Sequence, residues 1–339
     1  MGLGLAASTS VAASDDDSPT PIDSPTVIEE PGEYELVADL EPDSLDQPAC
    51  VVVDSDGVTL RGNAHTIDVS EATVERFGRP ARPSGIVVNP DPGGQEVNWE
   101  TTIEDVELRG GNAGIYAQLS LGGRYRNITA AENDSGFEFY VDGGTLENCL
   151  VEDNWRGIHL DGNPDFWGGS DAVLENCTMR QNGREGDGER TGAGIHVGHG
   201  SRASIDSGRI VGNGNGITAS AWETHTDVSE SHICYNDHYG IEAGTEQGFE
   251  ADDEYWPPMQ GTVDATDNYW GAANGPSSRV TVEWRQRVEE ADEPFMDPET
   301  GQPADGDGDA ISESLDAGVS NVYFDPFSEV PLEDVGAQR

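Results

Sequence analysis

Lysine is absent. All 17 basic residues are arginine, set against 66 acidic residues, and the formal net charge is −49 over 339 residues. Such a chain offers no basic stripe to a phosphate backbone and is repelled by anionic surfaces, which excludes nucleic acid as a partner. It also excludes any lyase chemistry that needs a lysine base. Apolar residues are scarce at 35%, and aromatic ones make up 7%. With 43 glycines, that composition excludes a helical bundle and implies a long, narrow core. No run is long and apolar enough for a membrane span. The four cysteines, Cys50, Cys149, Cys177 and Cys234, include no Cys-x-x-Cys pair, so the usual zinc spacing is missing.

What is present begins with the acidic residues, which are scattered along the chain and not massed in one block. At about 1 M salt the Debye length falls to roughly 3 Å, and carboxylates spread over a surface no longer repel one another. The charge therefore reads as adaptation to a saline habitat. Residues 1–13 resemble the end of a secretory signal, with an apolar stretch running into small residues around Val11 to Ala13 but no basic start, so export to the cell surface or medium is expected. The expected organisation is a truncated signal-like leader at 1–13 and an acidic, Pro-rich spacer at 14–27. A solenoid follows at 28–330, with a cap at 28–49, rungs over about 50–278, an insertion at 279–304 and a closing segment at 305–330, before a tail at 331–339. The insertion at 279–304, which contains Glu283 to Glu290, breaks the strand rhythm and predicts a short helix over the final rungs.

The most informative feature is internal repetition. Tyr125–Asn133, Leu146–Asn154, Leu174–Asn182, Ile205–Asn213 and Val228–Asn236 share one nine-residue frame. Each is followed by a Gly-apolar-x-apolar strand: Gly136-Phe-Glu-Phe, Gly157-Ile-His-Leu, Gly194-Ile-His-Val, Gly216-Ile-Thr-Ala and Gly240-Ile-Glu-Ala, with looser copies at Gly85 and Gly114. Short strands returning every 21 to 24 residues cannot close a core singly, but stacking them can. Each coil adds a rung about 4.8 Å above the last. Ile158, Ile195, Ile217 and Ile241 then form an inner apolar ladder, and Asn133, Asn154, Asn182, Asn213 and Asn236 a second ladder at a bend, where stacked amides bond to neighbouring backbone.

This pattern resembles the parallel β-helix repeat family, which includes the NosD-type proteins and many carbohydrate-binding and sugar-hydrolysing proteins. The entry Pro31–Leu40, the first rung Gly57–Ile67 and the close Asp267–Ser277 with Val322–Phe327 look like that family's exported archaeal members. The resemblance implies an all-β, single-stranded right-handed parallel β-helix of pectin-lyase-like type. It associates NosD-type relatives with assembly of a copper centre, although no dense His or Met cluster of that kind is visible in this sequence.

In the Gly-apolar-x-apolar strands the x position faces outward. Down the stack it reads Tyr116, Glu138, His159, His196, Thr218 and Glu242. Two histidines and a carboxylate in consecutive rungs suit a general acid and base, a His–carboxylate pair or a divalent metal bound by His159, His196 and Glu138. Asp161 shares that face, and His199 lies close by in the chain. The plain alternative is a solvated face.

Three insertions, Asp161–Ala172, Ser220–Asp227 and Gly244–Gly261, follow those strands and are expected to leave from one corner. They carry Phe166, Trp167, Trp222, His225, Phe249, Tyr255 and Trp256, rings suited either to stacking on an extended sugar chain or to packing on one another. A fourth insertion, Gly183–Gly192, sits at the other bend. Catalytic candidates are thus Glu138, His159, Asp161 and His196, and glycan-binding candidates Tyr116, Trp167, Trp222, Glu242 and Trp256. Asp305, Asp307 and Asp309 alternate as in a Ca²⁺ loop, but Ala310 stands where an EF-hand turn needs Gly, and an acidic linker competes with that reading. Cys149 and Cys177 fall at equivalent inward positions, compatible with a disulfide or with two stacked thiols. Asn127, Asn133 and Asn176 head glycosylation sequons at rung positions. The expected partner is a polysaccharide or surface glycan, bound or processed by a monomer, and the competing class is a metal-handling or structural surface protein.

Overall fold

The computed structural model describes residues 9–11, 18–76, 79–90, 100–119, 121–162, 168–183, 192–219, 224–243, 261–280, 289–290, 293–314 and 316–337. Among these the chain coils through three parallel sheets of 10, 11 and 7 strands. Sheet one contains Ala113–Gln118, Ser135–Tyr140, Arg156–Asp161, Ala193–Val197 and Asn215–Ala219 as consecutive neighbours. From Ser84–Val88 to Thr262–Asp264, successive strands of each sheet are separated in sequence by one strand from each of the other two, which is the wiring of a parallel β-helix.

Three inward files fill the interior. Sheet one contributes Ile86, Ile115, Phe137, Ile158, Ile195, Ile217 and Ile241, all fully buried and in register. Sheet two supplies Leu60, Ile103, Tyr125, Leu146, Leu174, Ile205 and Val228, and sheet three Ile67, Leu108, Ala130, Val151, Met179, Ile210 and Ile233. Burying each large aliphatic side chain contributes about 1.5–3 kcal/mol, and the stack repeats that gain at every rung.

The corners explain the rest of the repeat. Between sheets two and three the chain takes left-handed φ at Asn127 (52°), Asn148 (55°) and Asn176 (51°), a conformation that Asn tolerates better than most residues. Two of the sequon asparagines, Asn127 and Asn176, occupy this corner. The third, Asn133, is 4% exposed and opens the ladder between sheets three and one. There Asn133 Nδ2 donates to Asn154 Oδ1 at 3.1 Å, Asn154 to Asn182 at 3.0 Å, Asn182 to Asn213 at 3.0 Å and Asn213 to Asn236 at 3.1 Å. The same Oδ1 atoms accept the backbone N–H of the preceding asparagine. The repeated glycine lies against this ladder: a Cβ at Gly157 would fall 2.2 Å from the Gly194 carbonyl oxygen, so no side chain fits.

Several expectations need correction. The Pro-rich stretch is not a spacer throughout, because Thr20–Ile22 pairs with Gly32–Leu36 and Thr26–Ile28 with Ala49–Val53. Ile22 is 1% exposed, so a rung begins before residue 28. The short helix expected within 279–304 is not found among the described residues: Glu289–Glu290 pairs antiparallel with Arg279–Val280, and 281–288 lie outside them. All four cysteines are buried and none forms a disulfide among the described residues. Cys149 and Cys177 stack as thiols, their Sγ atoms donating to the carbonyls of Tyr125 and Leu146 at 3.5 Å each.

The closing segment is organised by Asp297, 2% exposed. Burial raises its pKa, but the backbone N–H groups of Thr300, Phe324, Glu299 and Asp325 outweigh burial and hold it below the ordinary carboxylate value. The tail then crosses sheet three, where Leu332 N–H donates to His232 Nε2 at 2.8 Å and Gly336 N–H to the Ser207 carbonyl at 2.8 Å.

Candidate functional site

The outward file of sheet one runs in register from Val27 through Val52, Val87, Tyr116, Glu138, His159, His196 and Thr218 to Glu242. Its first part is apolar and covered: Val52 is 3% and Val87 4% exposed, and with Ala49 they form a small second cluster against which Val27 and Tyr116 pack. The polar part begins at Tyr116, whose hydroxyl and the Gln118 carboxamide oxygen are 3.1 Å apart.

His159 and His196 stand on adjacent rungs with ring centroids 5.1 Å apart and planes inclined at 58°. Burial lowers the His159 pKa to about 2, helped by His196, Arg156 and His199. His196 is lowered to about 4 by burial and Arg156, against the attraction of Asp161. Both imidazoles are therefore neutral at ordinary pH. The Arg156 guanidinium lies 4.3 Å over the Trp155 ring and has Nη1 3.2 Å from His159 Nδ1. Arginine can only donate, so His159 Nδ1 accepts.

Asp161, at the end of the same strand as His159, accepts from His199 Nδ1 at 2.5 Å and from the Gly162 N–H at 2.8 Å. His199 takes a left-handed φ of 40°, which swings its ring back over Asp161. Between them Gly198 leaves room: a Cβ there would stand 3.2 Å from His196 Nε2 and 3.5 Å from Asp161 Oδ1. Further along, Asn215 Nδ2 donates to Glu242 Oε2 at 2.8 Å. The site thus combines neutral imidazoles, a guanidinium and carboxylates within a few rungs, a set suited to hydrogen bonding and to proton transfer.

The register brings Tyr116, Glu138, His159, His196 and Glu242 into one file, with Asp161 beside it. The insertions follow Arg156–Asp161, Asn215–Ala219 and Ile241–Glu242, all strands of sheet one. Trp167, Trp222 and Trp256, like Phe166, Phe249 and Tyr255, lie outside the described residues. His225 belongs to strand His225–Ser229 of sheet two, where its Nε2 is 3.0 Å from Asp227 Oδ1; it is not part of this face. Arg156 was missed by sequence reasoning. It occupies the position before the repeated glycine, paired in register with Ser135.

Among the described residues no group of three or more His, Cys, Asp and Glu is placed to hold a metal ion. A cation on His159 would also stand beside the Arg156 guanidinium. Asp309 accepts from the Tyr235 N–H at 2.8 Å, the Asn236 N–H at 3.0 Å and Asn236 Nδ2 at 2.7 Å. It ends the asparagine ladder. Asp307 accepts from Asn274 at 3.2 Å, and Asp305 does not join them in a cage.

A three-sheet coil with aliphatic inner files and one polar outer file defines a parallel β-helix. The chain belongs to the right-handed beta helix region family, whose model matches residues 56–233. No curated protein matches. Among solved structures, the chain is similar to pectate lyase Pel9A (12% identity over 71% of this chain, TM-score 0.42) and spans 62% of that protein's length. It is similar also to the A-module of the mannuronan C-5 epimerase AlgE6 of Azotobacter vinelandii, with 13% identity over 94% of this chain and 89% of that one and a TM-score of 0.46. A periplasmic alginate epimerase, solved as a mutant, gives 12% identity over 90% of this chain and 76% of that one, with a TM-score of 0.42. None of these likenesses bears on substrate. Among the described residues no helix is long and apolar enough to cross a membrane.

Proposed function

We propose that this chain is an exported, salt-adapted β-helix protein that binds polysaccharide or surface glycan across the outer face of sheet one. One observation carries the reading: the polar file from Tyr116 to Glu242 lies on the sheet whose strands lead into the insertions bearing Trp167, Trp222 and Trp256. Hydroxyl-rich ligands are held by convergent hydrogen-bonding groups beside aromatic surface, and the file supplies the first while the insertions supply the second. Processing of the bound chain, by hydrolysis or elimination, would fall to Glu138, His159, Asp161 and His196.

The test is a screen of purified protein against neutral and acidic polysaccharides in molar salt, with Trp222→Ala and Trp256→Ala alongside. Binding that weakens at least about tenfold in either variant is expected, a common cost for an aromatic anchor. Failure to bind any polysaccharide would overturn the proposal, and release of shortened chains would mark the protein as an enzyme.

A further inference from the structure

The two histidines at the edges of this site are partnered by side chains of opposite charge. Arg156 can only donate, so His159 must receive that bond on Nδ1 and carry its proton on Nε2. Asp161 can only accept when ionised, so His199 must present a proton on Nδ1 at 2.5 Å and, when neutral, keep a bare lone pair on Nε2. We infer that His159 and His199 are locked in opposite tautomers and offer a fixed donor and a fixed acceptor to neighbouring hydroxyls of a neutral sugar, not to the carboxylates of a uronate polymer. This rests on the glycan-binding reading above and narrows it to a substrate class.

A sugar hydroxyl both donates and accepts, so a pair of them satisfies a neutral donor and a neutral acceptor with no buried charge left over. A carboxylate only accepts. Set on this face it would meet the lone pair of His199 as well as the carboxylates of Asp161 and Glu138, which share the face. Molar salt screens charges at a distance but not in direct contact. Both deep imidazoles are neutral and add no positive charge, and the Arg156 guanidinium is already engaged by His159 Nδ1 and the Trp155 ring. His199 is half exposed, with 50% of its side chain open to solvent, so its Nε2 is within a ligand's reach.

The experiment uses the full chain in about 2 M NaCl, at a pH of about 8, above the ordinary imidazole value of about 6.5. Long-range ¹H–¹⁵N correlation of labelled histidines should show His159 protonated on Nε2 and His199 on Nδ1; a proton on His199 Nε2 overturns the inference. Calorimetry with mixed-linkage β-glucan, galactomannan and polygalacturonate should show binding of a neutral polymer and none of polygalacturonate. His199→Asn keeps a donor for Asp161 and tolerates the left-handed turn but removes the outward lone pair. It should weaken neutral-polymer binding about tenfold or more while leaving the melting temperature unchanged. Binding of polygalacturonate alone overturns this inference and leaves the glycan reading standing. Binding of none of the three overturns both.

Discussion

His159 and His196 meet one rung apart, ring centroids 5.1 Å from each other, with neither imidazole able to hold a proton at ordinary pH. Their unfolded counterparts protonate below about 6.5. Because both folded values are depressed, this pair's contribution to stability is complete above that value. It is lost as pH falls, through about 4 for His196 and on toward about 2 for His159. In constant molar salt, acidification from pH 7 to 4.5 should lower the melting temperature less in a His159→Gln, His196→Gln double variant than in the parent.

Asp309 carries the opposite sign. Burial lifts its carboxyl to about 6, against the three donors that lower it. A raised acid favours the folded state while protonated, so its contribution is present below the ordinary carboxylate range and fades as pH rises through about 6. Asp309→Asn should remove this dependence, and a plot of melting temperature against pH between 4 and 7 for both proteins reads it directly. A parent and variant with parallel curves would refute the assignment.

Asn182 is fully buried and bonded on every side. It donates to Asn213 Oδ1 and to the Val151 carbonyl, and it accepts from Asn154 backbone and side chain. Asn182→Ala strands buried partners on both neighbouring rungs. Each unsatisfied buried group costs about 1–3 kcal/mol, so a loss of about 3 kcal/mol or more in chemical denaturation is expected, far above that of a surface Asn→Ala.

Two glycines separate steric from conformational demand. A Cβ at Gly157 would overlap the Gly194 carbonyl at 2.2 Å, whereas at Gly212, with φ +64°, it would meet nothing within 4 Å. Gly157→Ala must displace backbone and should cost at least about 3 kcal/mol, the upper end for overpacking. Gly212→Ala should cost only about 1 kcal/mol, the penalty of a left-handed Ala. Equal melting temperatures for the two variants would contradict this.

Periodic features were legible because the fold repeats them. The inner isoleucines, the asparagine ladder and the outward file from Tyr116 to Glu242 could each be counted from the spacing of the glycines. Features made once were not. Asp309 joins the ladder from 73 residues beyond Asn236 and resembles no repeat, so its acidic neighbours suggested a calcium loop instead. His199 sits past the strand end, where it takes a left-handed φ and pairs with Asp161. The first rung was hidden by prolines that pair at a sheet edge: Pro21 lies in an outer strand, aligned with Glu35.

The asparagine ladder also has a polarity. Every side-chain amide from Asn133 to Asn236 points its N–H the same way along the axis, so five small dipoles add head to tail and polarise one another. Their positive end abuts the Asp309 carboxylate, as an anion sits at the start of an α-helix. An all-β solenoid thereby acquires an axial electric field of the kind usually credited to helices, and a single acid at its far end terminates it.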